Sequence, residues 1–265
     1  NASNLFVDGW TSRNDAYSAF YAEETNKNVT LTNFVIDGTA TGVRMDNATY
    51  GSMDGLTISN GTISNFTDNG IYVREHTTHL TIDNCTLFPD PEHKYTDTLA
   101  LFSPDAMISR CKAWGYNTLK ACGPGTIVTG CSLTGTYIGA GCSGVIITSS
   151  FVVPRFRMFT GSSNCTLIGC KTSFGKSIDS SNIMFRNCVH HTSNLPSENY
   201  GNSTMNTSST QISINHGCYT TPNSITVTPM CANATPPQFR IGSVTSTSFT
   251  IKVESEPTED TIFYW

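Results

Sequence analysis

The stretch "LTIDNCTL", Leu80 to Leu87, alternates apolar and polar residues, breaks at Asn84 and resumes with a cysteine. The same figure recurs along the chain as "VTLTNFVI" from Val29, "LTISNGTI" from Leu56, "AMISRCKA" from Ala106 and "TIVTGCSL" from Thr126. It continues as "VIITSSFV" from Val145, "CTLIGCKT" from Cys165 and "IMFRNCVH" from Ile183. The steps between starts are 27, 24, 26, 20, 19, 20 and 18 residues. Internal periods of this size mean stacked repeats, each burying its apolar face against its neighbours.

The columns of this alignment carry physical meaning. The first is mostly apolar and the third wholly so (Leu31, Ile58, Ile82, Ile108, Val128, Ile147, Leu167, Phe185), which puts both on one face of a strand. The fifth holds Asn33, Asn60, Asn84, Arg110, Gly130, Ser149, Gly169 and Asn187. Asn and Gly tolerate the left-handed backbone region, so the chain is expected to bend there. The sixth then points inward with Phe34, Gly61, Cys85, Cys111, Cys131, Ser150, Cys170 and Cys188. A second strand per coil follows, with candidates such as "GIYV" from Gly70 and "TLALF" from Thr98. Helical periodicity is nearly absent. Strand, bend, strand and turn, repeated, give an all-β parallel β-helix whose coils tighten as loops on one side shrink.

This pattern resembles the right-handed parallel β-helix proteins of the pectate-lyase-like class. The resemblance covers residues 28–190 and is extended to 1–230. It speaks to fold, not chemistry.

From Pro236 the chain changes character, with "FTIKVES" and "TIFYW" after a Pro-Pro step. This resembles the opening of a fibronectin type III domain. Two domains are therefore expected: residues 1–235 as a β-helix with irregular last coils, and 236–265 as a short sandwich-like segment of three strands. Three strands cannot close a sandwich, so an exposed, sticky end is expected at "IFYW", Ile262 to Trp265, and assembly is expected to run through Phe249, Ile251, Ile262, Phe263, Tyr264 and Trp265.

Composition narrows the setting. Only 13% of the 265 residues are charged, with a net charge of −5, which disfavours nucleic acid as a partner. No apolar run is long enough to span a bilayer. The chain opens on "NASNLFVDGW", so a removed leader and an extracellular or cell-surface location are expected. The 10 cysteines lack metal-site spacing, so no metal or cofactor is expected, and an oxidising compartment fits better. Neighbouring coils are ~4.8 Å apart, within disulfide reach of ~4.4–6.8 Å between Cα atoms. The expected pairs are Cys85–Cys111, Cys122–Cys142, Cys170–Cys188 and Cys218–Cys231, leaving Cys131 and Cys165, with an unbonded thiol ladder as the alternative. Of 10 N-x-S/T sites, Asn47, Asn202, Asn206 and Asn233 are expected to accept glycans. Asn60 and Asn84 are expected to turn inward at the bend, out of a sugar's reach.

Chemistry is harder to find. Enzymes of the resembling class use carboxylate clusters in register or signature D-D, G-H-G and R-I-K elements. Here Asp83, Asp97, Asp105 and Asp179 stand singly, and Arg155 and Arg157 lack the lyase spacing. Two clusters remain: "FPDPEHKYTD", with Asp90, Glu92, His93 and Asp97, and "VREHTTH", with Arg74, Glu75, His76 and His79. Either reads as solvated turn or as a metal, sugar or catalytic patch. Tyr72, Trp114, Tyr116 and Tyr137 are candidate sugar-stacking aromatics. With no catalytic residues assigned, the leading expectation is a non-catalytic structural protein of a surface layer, sheath or filament, self-associating through its open coil ends and C-terminal strands. It resembles secreted archaeal surface proteins in combining β-helix coils with fibronectin-like strands. The alternative is a polysaccharide lyase or hydrolase, or a tailspike-like glycan-binding β-helix.

Overall fold

The computed structural model describes residues 3–23, 25–46, 52–93, 95–115, 118–121, 123–139, 142–158, 162–178, 184–190, 199, 201–218, 221–232 and 235–265. Two compact units divide the chain, Asn1–Arg186 and Asn187–Trp265.

The first unit is a parallel β-solenoid. Its first sheet stacks nine strands: Phe6–Asp8, Asn26–Thr32, Met53–Ser59, Thr77–Asp83, Met107–Ser109, Ile127–Thr129, Ile146–Thr148, Thr166–Ile168 and Met184–Arg186. The register pairs Leu31 with Ile58, Ile58 with Ile82, and Ile82 with Ile108, as the column alignment requires. From Leu31 to Leu167 the third column is fully buried.

Bends are set by left-handed residues. Gly9, Asn33, Asn60, Asn84, Arg110, Gly130, Ser149, Gly169 and Asn187 all have φ between 48° and 68°. A second column lies at or just before the start of the first-sheet strands, at Asn4, Asn28, Gly55, His79, Asp105, Gly125, Gly144 and Asn164, and a third comprises Asn14, Gly38 and Asn65. The sequence alignment had exposed only the first of these. Asn60 and Asn84 do not turn inward. They are exposed, and Asn84 Nδ2 donates to Asn60 Oδ1 at 2.9 Å, forming a ladder on the outside of the bend.

The second sheet explains the tightening. In the early rungs two strands follow the first bend, for example Thr11–Arg13 with Ser18–Glu23, Val35–Asp37 with Thr41–Asp46, and Thr62–Phe66 with Asn69–Val73. Further on, Thr86–Pro89 and Asp97–Leu101 are separated by the short 3-10 turn Pro91–His93. Ser132–Ile138 then pairs with both Lys112–Ala113 and Leu119–Ala121, so one strand does the work of two. The third corner disappears, and with it the extra residues of each rung.

The sixth column is inward, as expected, and shows size complementarity. A Cβ on Gly61 would lie 2.0 Å from Phe34 Cζ of the rung before. Cys85, Cys111, Cys131, Ser150 and Cys170 fill the same buried slot further on, and Cys188 is buried as well.

The second unit departs from expectation. Asn202–Met205 and Thr228–Met230 flank Thr261–Tyr264 in one antiparallel sheet. Gln211–Asn215 and Phe239–Val244 flank Ser248–Val253 in another. Met205, Ile214, Phe249, Ile251, Val253 and Phe263 form one core contributed by both sheets, with Trp265 packed against it. The three C-terminal strands are therefore part of a set of six, and the compact unit that holds them begins at Asn187, because Asn202–Met205, Gln211–Asn215 and Thr228–Met230 pair with them. The expected sticky end is corrected on the same ground. Phe249, Ile251 and Phe263 are buried in this core, Trp265 packs edge-to-face on Phe249 at 5.7 Å, Ile262 is partly covered, and Tyr264 alone of the six is exposed.

No disulfide joins any two described cysteines. Cys85 and Cys111 are thiols in register, and the expected Cys170–Cys188 pairing is not formed. The Cys218–Cys231 pairing is not formed: Cys231 Sγ lies 3.2 Å from Thr261 Oγ1 instead, because its strand belongs to the other sheet edge. Cys122, the expected partner of buried Cys142, lies outside the described residues, as do Asn47 and Asn233. Asn202 and Asn206 are exposed.

Candidate functional site

The outward face of the second sheet assembles a ladder that the sequence did not reveal. The backbone register places Tyr21 beside Arg44, Arg44 beside Tyr72, Tyr72 beside Ala100, and Ala100 beside Lys120. Tyr137 and Arg157 hold the next two positions of that register. Strand alternation turns Tyr21, Arg44, Tyr72 and Lys120 away from the core, while Val43, Ile71 and Leu99 beside them are fully buried.

The ladder alternates cations and aromatic faces. Arg44 lies over the Tyr72 ring at 5.5 Å, and Tyr72 and Phe102 have centroids 5.9 Å apart. Lys120 Nζ sits 5.8 Å from the Phe102 ring and donates to Asp97 Oδ2 at 3.1 Å. Ala100 is the small step over which Phe102 bridges Tyr72 and Lys120.

Charged groups flank it. Asp46 accepts from Arg44 Nη2 at 2.6 Å and contacts Arg74 Nε at 2.8 Å, with its side chain only 12% exposed. Glu23 is its register partner one rung earlier. The two carboxylates are thus neighbours, which the sequence survey had not found. Burial, together with its hydrogen bond to Glu23, raises the Tyr21 hydroxyl above its ordinary value, so this phenol remains a donor. The Arg44 guanidinium is held above its ordinary value chiefly by its hydrogen bond to Asp46.

The two sequence clusters are dispersed. In "VREHTTH", Arg74 joins the ladder. His79 Nδ1 lies at the opposite bend, 2.6 Å from Asp54 Oδ1, and Glu75 and His76 are exposed. In "FPDPEHKYTD", Asp90 stabilises its own turn, accepting from Glu92 N at 2.7 Å, while Asp97 pairs with Lys120 and Glu92 and His93 are exposed. Among the described residues no three His, Cys, Asp or Glu side chains converge as metal ligands. Trp114 stands apart from the ladder, packed edge-to-face on Phe88 at 6.3 Å; Tyr116 lies outside the described residues. Among the described residues, no helix is long and apolar enough to cross a membrane.

No family model and no curated protein matches the sequence. Among solved structures, the chain is similar to the tailspike protein gp49 of Pseudomonas phage LKA1, at 11% identity and a TM-score of 0.44, covering 99% of this chain and 62% of that one. It is similar to the Gp54 tailspike of Acinetobacter baumannii bacteriophage AP22, solved in complex with A. baumannii capsular saccharide, at 12% identity and a TM-score of 0.39, covering 99% and 59%. A third is the tailspike gp49 of A. baumannii bacteriophage Fri1, a capsular polysaccharide depolymerase, at 10% identity and a TM-score of 0.35, covering 99% and 69%. The chain spans about three fifths of the length of the first two.

Proposed function

We propose that this chain is a glycan-binding β-helix of an extracellular or surface protein, with the saccharide lying along the ladder Tyr21–Arg44–Tyr72–Phe102–Lys120. The observation that carries this is the interleaving of aromatic faces with charged donors and acceptors on one outward sheet face, with Tyr21, Arg44, Tyr72 and Lys120 in register and Phe102 covering the step at Ala100. A sugar needs that mixture: C–H faces that cover aromatic rings, and hydroxyls that both donate and accept. Arg44, Arg74 and Lys120 supply donors; Glu23, Asp46 and Asp97 supply acceptors. The two signs balance, so the face suits polyhydroxyl ligands better than a highly charged polyanion.

Binding is proposed without cleavage. Both oxygens of Asp46 are engaged, Oδ2 by Arg44 and Oδ1 by Arg74, so neither is free to hand a proton to a glycosidic oxygen as a general acid must. The surface-layer or filament alternative loses its main support because the C-terminal strands complete their own core.

The test is titration of soluble polysaccharides by calorimetry, with reducing ends measured in parallel. Tyr72→Ala removes a central aromatic and is expected to weaken binding by more than ~1 kcal/mol, at least about fivefold in Kd. Unchanged affinity in Tyr72→Ala and Arg44→Ala would remove the ladder from consideration. Release of reducing ends that is lost in Glu23→Gln would establish cleavage instead.

A further inference from the structure

The sulfur column is a built feature that the glycan ladder leaves unused. Cys85, Cys111 and Cys131 are buried thiols at equivalent positions of three consecutive rungs, two residues past the register partners Asp83, Ser109 and Thr129. Each donates to the carbonyl two residues earlier in its own rung: Asp83 at 3.4 Å, Ser109 at 3.2 Å and Thr129 at 3.4 Å. Each also faces a carbonyl of the rung before: Ile58 at 3.8 Å, Ile82 at 3.7 Å and Ile108 at 3.8 Å. Three equivalent sets of contacts mean three equivalent rotamers. The sulfurs therefore line up along the stacking direction at the rung repeat of ~4.8 Å. The run is closed at both ends. Gly61 precedes Cys85 in the slot, and Ser150 follows Cys131, its Oγ accepting from Cys131 N at 3.2 Å.

We propose that on oxidation this column carries one disulfide, made by Cys111 with either Cys85 or Cys131, and always leaves one thiol over. Adjacent rungs bring Cα atoms to ~4.8 Å, inside the disulfide range of ~4.4–6.8 Å, whereas Cys85 and Cys131 are two rungs apart and out of reach. In the bond-forming step two thiols lose two protons and two electrons to a small disulfide oxidant of the glutathione class, which becomes two thiols. The rungs close over the column in the folded chain, so the oxidant meets it during folding. The remaining thiol then stands in line with the S–S bond. Its thiolate attacks Cys111 Sγ, a new S–S bond forms as the old one breaks, and the displaced sulfur takes up the proton. No net oxidation accompanies this exchange, so the bond is shared between the two gaps. The titration of the column fits this order. Contact with Cys111 lowers the Cys85 thiol. The Cys111 thiol is pushed up to about 12, the lowering by Cys131 being outweighed by Cys85 and burial. Cys85 thus carries the most thiolate character among the three.

The test is refolding of the reduced full chain in a glutathione redox buffer, followed by acid quench, unfolding in denaturant at mildly acidic pH, alkylation there with N-ethylmaleimide and peptide mapping without reduction. Cys111 is expected to escape label, with one thiol equivalent divided between Cys85 and Cys131. Cys111→Ser is expected to label both neighbours fully. Cys85→Ser and Cys131→Ser each keep an adjacent pair and are expected to show no label in the column. Label on Cys111 equal to that on its neighbours, or label confined to one neighbour in every preparation, overturns the proposal.

Discussion

One tight packing relation in the solenoid joins two positions of the inward column, Phe34 and Gly61, and it makes a quantitative prediction. A methyl placed on Gly61 would lie 2.0, 2.2 and 2.5 Å from three carbons of the Phe34 ring. The ring must retreat by about 1.5 Å to restore the ~3.5 Å at which carbon atoms attract. Phe34 is 1% exposed, with no solvent to move into. Gly61→Ala is therefore expected to cost about 3 kcal/mol, the upper end of the overpacking range. Phe34→Ala deletes a buried ring and is expected to cost ~3–5 kcal/mol, through lost transfer energy and a residual cavity. In the double variant the new methyl occupies space the ring has left. Its cost should stay near that of Phe34→Ala alone, giving a favourable coupling of about 2–3 kcal/mol. Urea unfolding of the four proteins, followed by far-UV circular dichroism, measures this directly. Costs that add to within ~0.5 kcal/mol would falsify the slot-complementarity argument, because they would mean that ring and methyl do not compete for one volume.

Acid sensitivity follows from two bend carboxylates. Hydrogen bonds from Ser64 and Asn65 hold Asp37 below its ordinary value, and Arg110 with Ser109 does the same for Asp83. Their stabilisation is full above the unfolded-state carboxylate pKa and is lost as pH falls through the lower folded values. Thermal melts from about pH 6 to about pH 2 should show this decline, and it should be shallower in Asp83→Asn; an identical slope would count against the Arg110 contact. Deleting Pro236–Trp265 removes the central strand of each sheet in the second unit, so the truncated chain should expose Met205 and Ile214. Limited proteolysis should then cut within 199–232 while the solenoid stays intact, and resistance there would contradict the shared core. In a glycosylating host, sugars are expected on Asn202 and Asn206 but not on Asn28, Asn65 or Asn84, whose Nδ2 groups already donate to Asn4, Asp37 and Asn60. Mass spectrometry of tryptic glycopeptides decides this.

The sequence by itself determined the solenoid. Its signals are local: period-two alternation, one left-handed residue per bend, and a small inward side chain one position later. Each acts within a few residues and repeats, so a short window such as Leu80–Leu87 contains the rule. The same rule accounts for half the N-x-S/T sites. Asn28, Asn60, Asn65, Asn84 and Asn164 are left-handed bend residues, so backbone geometry placed the asparagines there. The other bend columns escaped notice because His79 and Asp105 share them with glycines and asparagines, which blurs the residue type.

Only the tertiary structure decided the rest, because it depends on which rungs meet. Glu23 and Asp46, like Tyr21, Arg44, Tyr72 and Lys120, become neighbours through register across coils of unequal length. Fixed sequence spacing cannot show such a ladder when the intervening loops vary. The C-terminal unit makes the same point with antiparallel pairs. Asn202 meets Tyr264 and Gln211 meets Lys252, and nothing in "TIFYW" names a partner some sixty residues upstream. The cysteine slot was legible in the sequence. That its sulfurs share one orientation, and so stand in a line, follows from side-chain contacts that only the folded rungs provide.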